Sequence, residues 1–148
     1  MRAVLQRVRS ARVSVGNEET GAIGAGLLVL AGAAAGDGGD DVAWVARKIL
    51  SLRVFADAAG KMNLTVRDVG GSVLLVSQFT LCADLSRGNR PSFGGALDPA
   101  GAQALLEALA QALKEAVPVA TGRFGASMLV ELANEGPVTL WLDSRAKT

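Results

Sequence analysis

Four consecutive residues, Ser77-Gln78-Phe79-Thr80, place two hydroxyls and a carboxamide directly after the apolar run Val73-Leu74-Leu75-Val76. Polar side chains at a strand end are displayed from a rigid support. They form either a binding wall or the partners of their own loop backbone. Thr80 is a candidate nucleophile, but a hydroxyl needs a neighbouring base to act as one. The sequence contains no histidine. That removes the commonest general base, the Ser-His-Asp and Cys-His arrangements, and most zinc-ligand patterns. The one cysteine, Cys82, has no imidazole partner and reads as a small core hydrophobe. Any hydrolysis by this chain must therefore work another way.

A second constellation is Asn134-Glu135-Gly136-Pro137-Val138-Thr139, set between the strand-like runs Met128–Leu132 and Val138–Leu142. Proline lacks a backbone N–H and does not belong inside a sheet ladder. Glycine before it carries no side chain. The pair reads as a rigid corner whose backbone groups face outward, and an X-Pro bond is the ordinary place for a cis peptide. Phe124 and Met128 form a third candidate. Four residues apart on a strand they share one face, either as two core residues or as an apolar slot for a flat ring such as a nucleobase.

These residues need elements to hold them. Ala3–Val8 and Ala11–Val15 read as two strands, and Gly16–Glu19 as the turn of a hairpin. Leu27–Leu30 reads as a buried strand. Val42, Val45, Ala46, Ile49 and Leu52 recur at helical spacing, so Asp41 to about Leu52 is an amphipathic helix capped by Asp40 or Asp41. That capping role, rather than a calcium site, accounts for Asp37, Asp40 and Asp41. Ser72–Phe79 reads as a buried strand, and Arg87–Gly95 as a loop. Asp98-Pro99 is an N-cap followed by proline at the first helical position, and Leu105, Leu109, Ala112 and Leu113 give the second helix its apolar face. Val119-Ala120 begins a further strand, and Phe124–Leu132 contains a long one. Strands outnumber helices without a regular βαβ repeat. The expected fold is α+β, one domain over residues 1–148, with a strongly curved mixed or antiparallel sheet and two main helices.

Composition bounds the function. The 148 residues are half hydrophobic by count, enough for a real core. Net charge is +1, whereas a grip on a long nucleic-acid backbone calls for a basic excess. A short nucleic-acid end remains open, with Arg2, Arg7, Arg9 and Arg12 as one basic group and Arg87 and Arg90 as another. Gly24-Ala25-Gly26 lacks the third glycine of a dinucleotide fingerprint, and there is no P-loop. No stretch reads as a membrane span or a targeting segment, and a cytoplasmic location is expected.

Taken together, Ser77-Gln78-Phe79-Thr80-Leu81 and Asn134-Glu135-Gly136-Pro137-Val138-Thr139 closely resemble the signatures of the D-aminoacyl-tRNA deacylases. Met1–Val4 with Gln6–Val8, Gly60–Leu64, Arg90–Phe93, Phe124–Ala126 and Trp141–Ser144 agree with the same family, so the resemblance spans the chain. Cys82 departs from it, standing where a tyrosine is expected. The resemblance implies hydrolysis of the ester between a D-amino acid and the tRNA 3′ end, and clearance of mischarged glycine. It implies a homodimer in which Gly136-Pro137, joined by a cis bond, enters the partner's pocket and turns away L-amino acids through its backbone carbonyls. Ser77, Gln78, Phe79 and Thr80 then line the pocket at the scissile ester, Phe124 and Met128 hold the terminal adenine, and Arg7 braces the Gly-Pro corner. No cofactor and no metal are implied. The terminal 2′-hydroxyl helps activate water, with Thr80 in support. The alternative is a module that binds RNA 3′ ends without cleaving them.

Overall fold

One strand organises the sheet. A computed structural model describes Met1–Thr148, and in it β1 runs without a break over Arg2–Val15. The sequence suggests two strands because Arg9 and Ser10 interrupt the apolar pattern. Both are exposed, and the register against the partner strand shifts on either side of Val8. Each shift resets which face a residue meets.

β2 (Glu18–Ile23) and β3 (Gly26–Gly32) follow the turn after β1, and both pair antiparallel with it, so the hairpin forms as expected. β8 (Leu129–Asp143) takes the other edge of β1 along its length, again antiparallel. β6 (Ser72–Ser77) lies parallel to β3, and β7 (Val119–Thr121) parallel to β6. Parallel neighbours need a crossover, usually helical. α1 (Gly39–Ser51) sits in the first and α2 (Pro99–Lys114) in the second. The helices thus do belong to βαβ units, grafted onto an antiparallel meander. The short pair β4 (Phe55–Ala56) and β5 (Met62–Leu64) follows α1.

The sheet curls until β2 approaches β7. A methyl group on Gly21 would lie 2.6 Å from the Thr121 carbonyl oxygen, so only glycine lets the ends meet. Curling yields two cores. The larger, between helices and sheet, contains Leu5, Leu27, Val29, Val45, Ile49, Val73, Leu109 and Leu113. The smaller, inside the curl, holds Val8, Ala11, Val13, Leu28, Leu74 and Val76. With both faces covered, β3 and β6 read as continuous apolar runs.

α1 begins two residues earlier than the aspartates suggest. Its N-cap is Gly38, and Asp41, at the third helical position, accepts a hydrogen bond from the Gly38 N–H at 2.9 Å. Asp98 caps α2 as expected, accepting from Gly101 N–H at 2.9 Å, with Pro99 next.

The acidic residues before and within α1 bind the N-terminus. The Met1 ammonium lies 2.7 Å from Asp37 Oδ2, both fully buried. Buried Ser144 accepts a hydrogen bond from the ammonium and donates to Asp41 Oδ1 at 2.6 Å. That bond, with help from the Gly38 N–H and the ammonium, holds the Asp41 carboxyl below its ordinary pKa of 3.8. A carboxylate with a lowered folded pKa stabilises the fold above its ordinary value and loses that contribution as pH falls through the folded one. Ser144→Ala is therefore expected to cost about 1–3 kcal/mol at neutral pH. The deficit should shrink below pH 3.8, as chemical denaturation at pH 7 and pH 3 will show. A gap of equal size at both would disconnect Ser144 from Asp41.

Candidate active site

The β6 strand ends at Ser77, and the chain turns at once into a single 3-10 turn over Phe79–Cys82. The polar quartet thus straddles a strand end and a turn, whereas its sequence suggests a strand through Phe79. Two contacts fix the junction. Gln78 N–H donates to the Ala31 carbonyl at 2.7 Å. Gly32 allows close approach from the other side, where a Cβ would lie 2.5 Å from the Gln78 carbonyl oxygen. On the far side of the turn, an Arg2 guanidinium nitrogen donates to the Leu81 carbonyl at 3.0 Å, and Arg2 also pairs with Asp143.

This junction forms one wall of a cavity of about 540 Å³. Ser77, Gln78 and Phe79 line it from β6 and the turn, and Ala31, Gly32 and Ala33 from the end of β3. Leu97, Pro99, Ala102 and Leu106 close it from the start of α2, and Phe124–Met128 with Val130 form the opposite side. Mostly apolar walls with a few convergent polar groups are what a small-ligand site requires. The second helix and the small residues of β3 carry no chemistry in the sequence. For β3 the signal is the parallel register, which sets Ala31 beside Ser77; nothing in the sequence marks α2 as a cavity wall.

Thr80 does not line the cavity. Its hydroxyl accepts a hydrogen bond from Gln78 Nε2 beside it. Phe79 and Thr80 open the turn, and the first bond across it is donated by Leu81 to the Gln78 carbonyl at 3.3 Å. The N–H groups of Phe79 and Thr80 thus have no acceptor within the turn and are free to meet an oxygen. Cys82 is buried, and burial pushes its thiol pKa up, which makes it a poor nucleophile.

Phe124 and Met128 both line the cavity but not from one strand face. Residues 122–128 form a loop with a positive φ of 75° at Gly125, and β8 starts only at Leu129. Phe124 leans on the larger core and Met128 on the smaller, so the slot bridges the two.

Gly136, Pro137 and Arg7 lie elsewhere. None lines the cavity of its own chain. The ladder pairs Gln6 with Thr139 and Val8 with Asn134, so Glu135–Val138 stand opposite the single residue Arg7. The corner is therefore a wide bulge within a continuous strand. Gly136 and Pro137 are exposed at its crest, and their peptide bond is cis. Arg7 spans its base: Nε donates to the Glu135 carbonyl at 3.0 Å, and a terminal guanidinium nitrogen donates to the Val54 carbonyl.

Known proteins resemble this chain over nearly its whole length. The family model described as D-Tyr-tRNA(Tyr) deacylase matches residues 4–143. A D-aminoacyl-tRNA deacylase of Anaeromyxobacter dehalogenans is 56% identical over 146 residues, covering 98% of each chain. One from Syntrophobacter fumaroxidans is 54% identical over 146 residues, with 98% of each covered. A solved structure of a c-Myc DNA unwinding element binding protein superposes with a TM-score of 0.91 at 39% identity, covering 97% of this chain and 98% of that one. A cavity walled by Ser77, Gln78 and Phe79, a glycine-proline bulge braced by arginine, and near-complete alignment with these relatives lead to one conclusion: the chain belongs to the D-Tyr-tRNA(Tyr) deacylase family.

Proposed function

We propose that this protein hydrolyses the ester of D-aminoacyl-tRNA, and of mischarged glycyl-tRNA, and that its stereochemical filter is supplied by a second copy of the chain. The observation that carries this reading is the split site: the quartet and the Gly-Pro bulge occupy different places in one chain. A dimer that seats the bulge of one subunit in the cavity of the other unites them. The form of β8 favours such a partner. It is a long strand with one unpaired edge, a surface that proteins normally cover, and it exposes Leu129, Leu132 and Trp141.

In that assembly the carbonyl oxygens of Gly136 and Pro137 accept hydrogen bonds from the substrate ammonium. An L side chain then points into the bulge, and a D side chain points away. Glycine has no side chain to reject. Phe124 and Met128 sandwich the terminal adenine. Water attacks the ester carbonyl, and the tetrahedral oxyanion is met by the N–H groups of Phe79 and Thr80. The water's proton passes by way of the neighbouring ribose 2′-hydroxyl to the departing 3′-oxygen, releasing tRNA and a D-amino acid. No side-chain base is required, in keeping with a chain that has no histidine.

The test is turnover of matched D-, L- and glycyl-tRNAs by the purified protein. D-aminoacyl and glycyl esters should be cleaved and L esters spared. Binding of acceptor ends with no cleavage of any ester would instead establish a non-catalytic RNA-end module.

A further inference from the structure

Next to the cavity wall at Phe79 lies a surface to which the hydrolysis assigns no task. Phe79 lines the cavity, yet the residue is 55% exposed. It meets Phe93 edge to face, with ring centroids 5.1 Å apart and planes inclined at 67°. Phe93 is itself 40% exposed. Packing alone would hide two such rings; here they form an open ledge. Phe93 sits at the base of a loop pinned by reciprocal backbone bonds between Asp84 and Ser92, at 2.7 and 3.1 Å. The loop presents Arg87 and Arg90, both exposed and neither engaged in an ion pair, on a chain whose net charge is only +1. Exposed aromatic faces flanked by free arginines are the equipment for single-stranded nucleic acid: bases stack on rings and phosphates meet guanidinium groups.

We propose that the Phe79–Phe93 ledge with Arg87 and Arg90 is a subsite for the unpaired nucleotides that precede the terminal adenosine. The proposal rests on the deacylase reading, which places that adenosine in the cavity. Every tRNA ends in the same unpaired trinucleotide, cytidine-cytidine-adenosine, and Phe79 belongs to both the cavity wall and the ledge, so the next base back from the cavity meets the ledge. Stacking is tolerant of sequence, and two arginines suit one or two phosphates. This gives a small RNA footprint consistent with the near-neutral charge.

The test compares two substrates: a D-aminoacyl-tRNA and the corresponding D-aminoacyl-adenosine, which lacks the preceding nucleotides. Phe93→Ala should raise KM for the tRNA about ten-fold, the scale of one lost stack, and leave hydrolysis of the adenosine ester unchanged. Phe93→Trp should restore tRNA affinity. The double variant Arg87→Ala/Arg90→Ala should weaken binding of a non-hydrolysable acceptor oligonucleotide. It should also flatten the slope of log Kd against log salt by roughly 1.4, about 0.7 per lost phosphate contact. Equal losses on both substrates would overturn the subsite in favour of support for the cavity wall. So would an unchanged KM for the tRNA. Dimer dissociation by Phe93→Ala in sedimentation analysis would show that the ledge is covered by the second subunit instead. Should the unsubstituted protein cleave neither ester, the deacylase reading fails, and the subsite falls with it.

Discussion

Arg7→Ala is expected to lower kcat/KM for D-aminoacyl-tRNA about a hundred-fold, the scale on which a misplacement of about 1 Å is felt, and to narrow the gap between D and L substrates. Arg7 is the one residue opposite the bulge, and its guanidinium ties the Glu135 carbonyl to the Val54 carbonyl. Without it both carbonyls lose a charged donor, and the crest that carries Gly136-Pro137 loses its base. Lysine should not rescue the activity, because a single ammonium does not reproduce a planar fork that reaches two acceptors. A proportional loss on D and L substrates would reduce Arg7 to a support of the fold. The same variant tests the shared site. Mixed dimers of Arg7→Ala subunits with Phe124→Ala subunits, which lack the ring proposed to hold the adenine, pair one intact cavity with one intact bulge. They should be more active than either homodimer. No recovery would mean that cavity and bulge act within one chain.

The second large effect lies in the substrate. Replacing the terminal ribose by its 2′-deoxy form should slow hydrolysis by about 10²- to 10⁴-fold, the usual range for losing a general acid-base group, whereas Thr80→Ala should cost less than about ten-fold by the same measure. The Thr80 hydroxyl is held by Gln78 Nε2 outside the cavity lining, and no imidazole exists to take its proton. The opposite pattern, with full turnover of the deoxy substrate, loss with Thr80→Ala and a covalent adduct visible by mass spectrometry, would establish an acyl-enzyme at Thr80.

Much of this architecture is legible in the residues because local signals and tertiary needs coincide. Apolar spacing places both helices, Asp98-Pro99 starts the second, and the run Val73–Val76 marks a strand buried on both faces. The polar quartet and Gly136-Pro137 stand out because each breaks the pattern around it. What stays hidden is set by distant partners. β1 reads as two strands because its phase slips where β8 bulges, and that bulge lies more than a hundred residues further on. Phe124–Met128 mimics a strand by hydrophobicity alone, although Gly125 turns the backbone. The cavity wall contributed by α2 is invisible for the same reason: nothing in Ala102 or Leu106 announces what will face them.

The pairing of β1 with β8 also fixes the order in which function can arise during synthesis. Arg7 and the Glu135 carbonyl are 128 residues apart. β1 leaves the ribosome early and must wait, one edge unsatisfied, while the crossovers and helices are made. Contacts so distant in sequence form late and expose the nascent chain to mispairing. A chain that stops short of β8 leaves one edge of β1 unpaired and has no Glu135 carbonyl for Arg7 to hold, so the site is complete only once the last strand has been made.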